Sequence, residues 1–146
     1  HTLTLKKIKW VIILMKNKIA IVYSDYYQDI SESLVNGFKK SIDDSFQCDE
    51  FNVGGSWELV HKINTLIEEY DKFVAIGVIV KGETDHYEYL SSSIANALLS
   101  MTITKNIYIS NCVLNVQTLQ QAENRSTDSK NKGSDSAKAI NNLFLT

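Results

Sequence analysis

The stretch Lys72–Val80, KFVAIGVIV, carries no polar side chain after its lysine. A strand with one wet face alternates apolar and polar residues. A short run without polar side chains fits a strand covered on both faces, as parallel sheets require. Upstream, KIAIVYS (Lys18–Ser24) is a second apolar run, and CDEFNV (Cys48–Val53), ended by Gly54 and Gly55, is a weaker third. Downstream, KNIYISNCVL (Lys105–Leu114) reads as a fourth strand.

Helical patterns fill the gaps. DISESLVNGFKKSIDD spaces Ile30, Leu34, Phe38 and Ile42 along one face, with Ser31 or Asp29 as cap. SWELVHKINTLIEEY (Ser56–Tyr70) does the same with Leu59, Ile63, Leu66 and Ile67, and Ser56 as cap. YEYLSSSIANALLSMT is a third helix, TLQQAENRS a short one, TDSKN a loop, and KGSDSAKAINNLFL the last helix. Strand and helix alternate throughout. That order predicts an α/β fold: a three-layer α/β/α sandwich around a central four-stranded parallel sheet, joined by right-handed crossovers.

Such sheets bind ligands beyond the carboxyl ends of their strands. The residues expected there are Ser24–Tyr27, Gly54–Glu58, Lys81–His86 and Asn111–Val116. These four stretches hold most of the unusual chemistry in the chain.

Bulk properties narrow the field. A chain of 146 residues suits one core, and a net charge of -2 without a basic stripe argues against nucleic acid. Cys48 and Cys112 have no metal-ligand spacing and read as free thiols of a reducing cytoplasm. No group of His, Cys and carboxylates has metal spacing, and neither dinucleotide nor P-loop glycine patterns occur. Residues 1–14 precede Met15 and read as a non-native or disordered extension; the alternative is an extra N-terminal strand that pairs with a neighbouring copy. The run WVIILM within it is far shorter than the ~20 apolar residues of a membrane span. Residues 15–146 read as a single domain.

The motif KGETDH (Lys81–His86) sits between a strand and a helix. Its backbone N–H groups and the Thr84 hydroxyl suit an anion at a helix N-terminus; equally, Thr84 or Asp85 suits a plain helix cap. Imidazole ordinarily titrates near neutrality, so a histidine beside a bound anion suits proton transfer, whereas on its own it is a surface residue. In GGSWEL, the glycines permit close backbone approach and Glu58 suits a polyol or the helix dipole. Tyr26 or Tyr27 suits stacking on a flat heterocycle or a place at the core edge. Arg125 is the only arginine among 15 lysines and arginines, which marks a position needing a planar fork. Arg125 and Lys132 suit phosphate, or are solvated helix ends.

Taken together, these segments resemble the 6,7-dimethyl-8-ribityllumazine synthase family of riboflavin biosynthesis. GGSWEL is similar to its PGA(F/W)E(I/L) motif. AIGVIVKGETDHYEY is similar to its G-x-(V/I)-I-(R/K)-G-E-T-x-H-(F/Y)-(D/E)-Y motif, and SNCVL…TLQQAENRS…NKGSDSA to its third. The resemblance runs from about Lys18 to the C-terminus. It implies a flavodoxin-like fold and a transferase that needs no cofactor and no metal. In that reaction 5-amino-6-ribitylamino-2,4-pyrimidinedione condenses with 3,4-dihydroxy-2-butanone 4-phosphate, and phosphate and water leave.

By the same resemblance, His86 moves protons. Glu83, Thr84, Arg125 and Lys132 hold the phosphate. Tyr26 stacks on the pyrimidine, and Ser56, Trp57 and Glu58 hold the ribityl chain. The backbone of Val78, Ile79 and Val80 reads the pyrimidine edge, near Asn111. The resemblance also implies a homo-pentamer with active sites between adjacent subunits, His86 and Arg125 coming from one and Tyr26, Ser56 and Glu58 from its neighbour. The loop STDSKNKG lacks the glycine pattern that accompanies stacking of pentamers into shells. Three positions depart from the family: Gly54 for proline, Val116 for threonine, and Asp25 as an added charge. Two other expectations follow the same scaffold: a riboflavin synthase of archaeal type, or a flavin-binding oligomer without turnover.

Overall fold

The computed structural model describes residues 4–8 and 17–145. From residue 17 on, four strands and five helices follow one another, alternating as far as β4: β1 (Lys18–Ser24), α1 (Gln28–Ser41), β2 (Gln47–Val53), α2 (Glu58–Thr65), β3 (Lys72–Val80), α3 (Tyr87–Thr104), β4 (Tyr108–Val116), α4 (Leu119–Asn124) and α5 (Lys132–Phe144). The sheet runs β2-β1-β3-β4, with all three pairings parallel. Residues 4–8 are helical and exposed, so no N-terminal strand forms there; Met15 and the rest of the extension lie outside the described residues.

The sequence explains the layering. Every residue of β3 is buried, as its unbroken apolar run demands. Its alternate side chains feed two cores. Val74, Ile76, Val78 and Val80 join Ile19, Ile21, Leu34, Phe38 and Ile140 on the α1 and α5 side. Phe73, Ala75 and Ile79 join Ala20, Val22, Leu59, Ile63, Ile94 and Leu98 on the α2 and α3 side. Burying one such aliphatic side chain contributes ~1.5–3 kcal/mol, so both cores hold the sheet between its helices.

Some boundaries differ from the sequence reading, each for a local reason. Helix α1 starts one turn earlier than a Ser31 cap requires. Ser31 instead donates its hydroxyl to the Ser24 carbonyl, which ties the helix to the end of β1. Helix α2 stops at Thr65 rather than Tyr70: the Thr65 hydroxyl donates to the Lys62 carbonyl at 2.6 Å, and Leu66 N–H tightens onto Ile63 at 2.9 Å. The fourth strand begins at Tyr108, not Lys105, because Asn106 adopts a left-handed φ of 55° that turns the chain out of α3.

Candidate active site

The carboxyl ends of β1 and β3 and the turn after β2 meet around one cavity of about 280 Å³. Tyr26, Ser56, Trp57, Glu58, Val78, Ile79, Val80, Glu83 and Thr84 all line it, so nine of the residues expected from sequence come together. Tyr27, Gly55 and Leu90 complete the wall. Leu90 carried no chemical signal in the sequence. It enters because its N–H bonds the His86 carbonyl at 2.8 Å, one helical turn on.

Ser56 does not cap α2, as its place in the sequence predicts. Trp57 occupies the cap position, and Ser56 is buried against β3. A Cβ on Gly77 would stand 2.6 Å from the Ser56 hydroxyl oxygen, so the bare backbone of β3 is what admits the GGSWEL turn. Glu58 folds back over Gly55, where a Cβ would lie 3.2 Å from its carboxylate. Trp57 is 58% exposed and Tyr26 72%, so two large rings stand open at the rim. Tyr26 meets Tyr27 edge to face at 4.9 Å. Burial first, then the Glu83 carboxylate and Tyr26, raise the Tyr27 phenol above its ordinary value, keeping it a hydrogen-bond donor.

The loop after β3 is a single tight turn, Lys81–Glu83, followed by Thr84 and Asp85. Neither Thr84 nor Asp85 caps α3. His86 holds the cap position without a side-chain bond, and its N–H approaches the Thr84 hydroxyl at 3.3 Å. The first turn of this 18-residue helix is therefore left without a side-chain cap. His86 is exposed and lines an adjoining cavity with Trp57, Thr84, Tyr89 and Leu90. Trp57, Thr84 and Leu90 line both cavities, so His86 stands beside the Ser56 and Glu58 turn of its own chain.

Three expected residues lie elsewhere. Asn111 is not at a strand end; it sits mid-strand in the edge strand β4, opposite Ala75, with Val113 N–H bonded to its side chain at 3.0 Å. Asn111 and Lys132 line a separate cavity of about 310 Å³ between β4 and α5. Arg125 is exposed at the end of α4, and its carbonyl accepts the Lys132 N–H at 2.8 Å. The two cations therefore leave the backbone from adjoining points. Asp25 turns away from the Tyr26 cavity: Asn52 donates to its carboxylate at 2.6 Å, and it lines a different cavity with Glu32 and Glu50.

The cavity has an apolar floor, two open aromatic rings, an uncapped helix start and a histidine beside it. These suit a flat polar heterocycle facing an anion. The family model for 6,7-dimethyl-8-ribityllumazine synthase matches residues 16–145. The chain is 34% identical over 131 residues to the 6,7-dimethyl-8-ribityllumazine synthase of Zymomonas mobilis, covering 87% of this chain and 94% of that one. It is 33% identical over 135 residues to the enzyme of that name from Leuconostoc mesenteroides, covering 87% and 86%. The corresponding protein of Methylorubrum populi is 31% identical over 136 residues, covering 87% and 80%. With the parallel sheet, the motif-bearing strand ends and this match over nearly the whole length, the chain belongs to the 6,7-dimethyl-8-ribityllumazine synthase family.

Proposed function

We propose that this chain condenses 5-amino-6-ribitylamino-2,4-pyrimidinedione with 3,4-dihydroxy-2-butanone 4-phosphate to form 6,7-dimethyl-8-ribityllumazine, releasing phosphate and water. The observation that carries this reading is the convergence of two of the three family motifs: GGSWEL, and the end of β3 with KGET, share one cavity. The test is direct turnover of both substrates by the purified chain, followed as lumazine and phosphate together.

The roles are those the family resemblance implies, and the shared cavity supports them. Tyr26, open at the rim, stacks on the pyrimidine. The backbone of Val78, Ile79 and Val80 reads its edge. Ser56, Trp57 and Glu58 hold the ribityl hydroxyls. The Glu83 backbone and the Thr84 hydroxyl, with the uncapped start of α3, receive the four-carbon phosphate, and His86 moves protons beside it. Holding the two substrates face to face turns a bimolecular condensation into an internal one, worth roughly 7–11 kcal/mol of barrier. Proton transfer by one placed group adds about 10²–10⁴-fold.

One chain supplies only part of such a site. Among the described residues the charged ones lining the cavity are Glu58 and Glu83, both acidic, so the cation that a phosphate ester calls for comes from elsewhere. Arg125, Lys132 and Asn111 stand on another part of the surface. We read them as the half-site offered to a neighbouring copy, so that His86 works from the Tyr26 side and Arg125 from the partner's side. A homo-pentamer is the assembly this reading takes from the family. Helix α3 supports association: Tyr89, Leu99 and Ile103 are 68%, 63% and 75% exposed along its outer face. The two free cysteines accord with a cytoplasmic setting. Among the described residues no helix is long and apolar enough to cross a membrane.

A further inference from the structure

Asn131 is 7% exposed, and its side-chain amide makes four hydrogen bonds. Oδ1 accepts the N–H of Gly133 at 2.8 Å and of Ser134 at 3.2 Å, which caps α5. Nδ2 donates to the carbonyl of Ser33, within α1, at 3.0 Å and to the carbonyl of Ser126 at 2.8 Å. The two donors of the amide are both engaged. Capping needs only the oxygen; the nitrogen does something further.

The backbone closes tightly around this side chain. A Cβ on Gly37 would stand 2.3 Å from Asn131 Oδ1, and one on Gly133 would stand 2.0 Å from the Leu34 carbonyl oxygen. Helices α1 and α5 thus meet backbone to backbone, with the amide seated between them. Leu34 and Phe38 of α1 are fully buried, so Ser33 belongs to a rigid element. Ser126 directly follows Arg125, and Lys132 directly follows Asn131. The Arg125 carbonyl is held by Lys132 N–H at 2.8 Å, and the next carbonyl along is held by Asn131.

We propose that Asn131 is a positioning residue for Arg125: it ties the turn that carries the guanidinium to α1 and so fixes where the fork begins. A bidentate grip on phosphate depends on that origin, because the stem of arginine is long and flexible. The inference rests on the reading of Arg125 as the phosphate-gripping cation.

Steady-state kinetics with each substrate varied in turn, beside thermal unfolding, tests it. Asn131→Ser keeps a neutral capping oxygen and removes both amide donors. It is expected to raise KM for the butanone phosphate about tenfold, below the roughly hundredfold cost of a 1 Å misplacement. KM for the pyrimidine and kcat are expected to stay within about twofold. Inhibition by inorganic phosphate should weaken in parallel. Ser134→Ala is the control. It removes a hydroxyl bond to the Gly37 carbonyl at 3.1 Å, loosening the same helix pair, and should lower Tm with both KM values unchanged. Should Asn131→Ser fold poorly, Asn131→Thr, which also keeps a neutral capping oxygen and loses the amide donors, carries the same test. A lowered Tm with an unmoved phosphate KM, as in Ser134→Ala, overturns the proposal. Arg125→Lys separates the two ideas. If it raises the phosphate KM while the Asn131 variants do not, only the positioning role fails; if it too leaves that KM unmoved, the reading of Arg125 fails as well.

Discussion

The main-chain N–H of Lys132 donates to the carbonyl of Arg125 across 2.8 Å, which places the origins of two cationic side chains side by side. Neither side chain lines the cavity that holds Tyr26, Ser56 and Glu83. In the reading proposed above, this pair meets the phosphate from a neighbouring copy. Arg125→Lys keeps the charge and loses the planar fork. It is expected to raise KM for the phosphate substrate about tenfold and to leave KM for the pyrimidine unchanged, as initial-rate kinetics will show. Unchanged kinetics would mean that the position does not need an arginine.

His86 occupies the cap position of α3, beside Thr84 and Trp57. If it moves protons rather than binding phosphate, His86→Ala lowers kcat by about 10²–10⁴-fold and shifts KM for the phosphate substrate by far less. A loss seen wholly in KM would assign the histidine to binding instead.

Gly77 lies beneath Ser56, with no space for a methyl group between them. Gly77→Ala therefore crowds the Ser56 hydroxyl and the Leu59 side chain. The expected cost is about 1–3 kcal/mol of stability by denaturant titration, as for other overpacked cores. KM for the pyrimidine should rise, because the crowded Ser56 hydroxyl is among the groups proposed to hold the ribityl chain. A variant as stable as the parent, with unchanged kinetics, would contradict that close approach.

The outer face of α3 offers Leu99 and Ile103 to solvent in the single chain. Replacing both, as Leu99→Lys with Ile103→Glu, is expected to yield smaller particles in sedimentation velocity. Because the proposed site needs two copies, turnover should fall with the assembly. Intact particles after both substitutions would place the interface elsewhere.

Burial pushes both thiols up to about 11: Cys112 lies in the core, and Cys48 is half-buried on β2 beside Asp49. A raised thiol pKa keeps the reactive thiolate scarce at neutral pH. Labelling by a thiol reagent at pH 8 is thus expected to be slow in the native chain. It should quicken as pH approaches 11, or at once on unfolding. Rapid labelling of either cysteine at pH 8 would contradict its burial.

Much of this was legible in the sequence, for identifiable reasons. The unbroken apolar run of β3 can only be satisfied by cover on both faces, so the parallel sheet followed from it. Turn residues grouped after the strands gave most of the cavity wall, because topology alone brings strand ends together. What remained hidden depended on contacts across the chain. The serine at position 56 looked like a cap until Gly77 was seen beneath it. Ser31 is recruited by the Ser24 carbonyl rather than by its own helix. The grouping of His86 with Trp57, and not with Arg125, comes from the short turn Lys81–Glu83, whose direction no motif encodes. Asn131 showed only as part of a motif; its four partners come from three separate segments.

The most direct measurement mixes the purified chain with the ribitylaminopyrimidinedione and 3,4-dihydroxy-2-butanone 4-phosphate, and follows lumazine absorbance and free phosphate in the same sample. Equal amounts of the two products, formed faster than in protein-free buffer and abolished by His86→Ala with Arg125→Lys, are the predicted result. A folded, assembled protein that binds the pyrimidine yet accelerates neither product would contradict it.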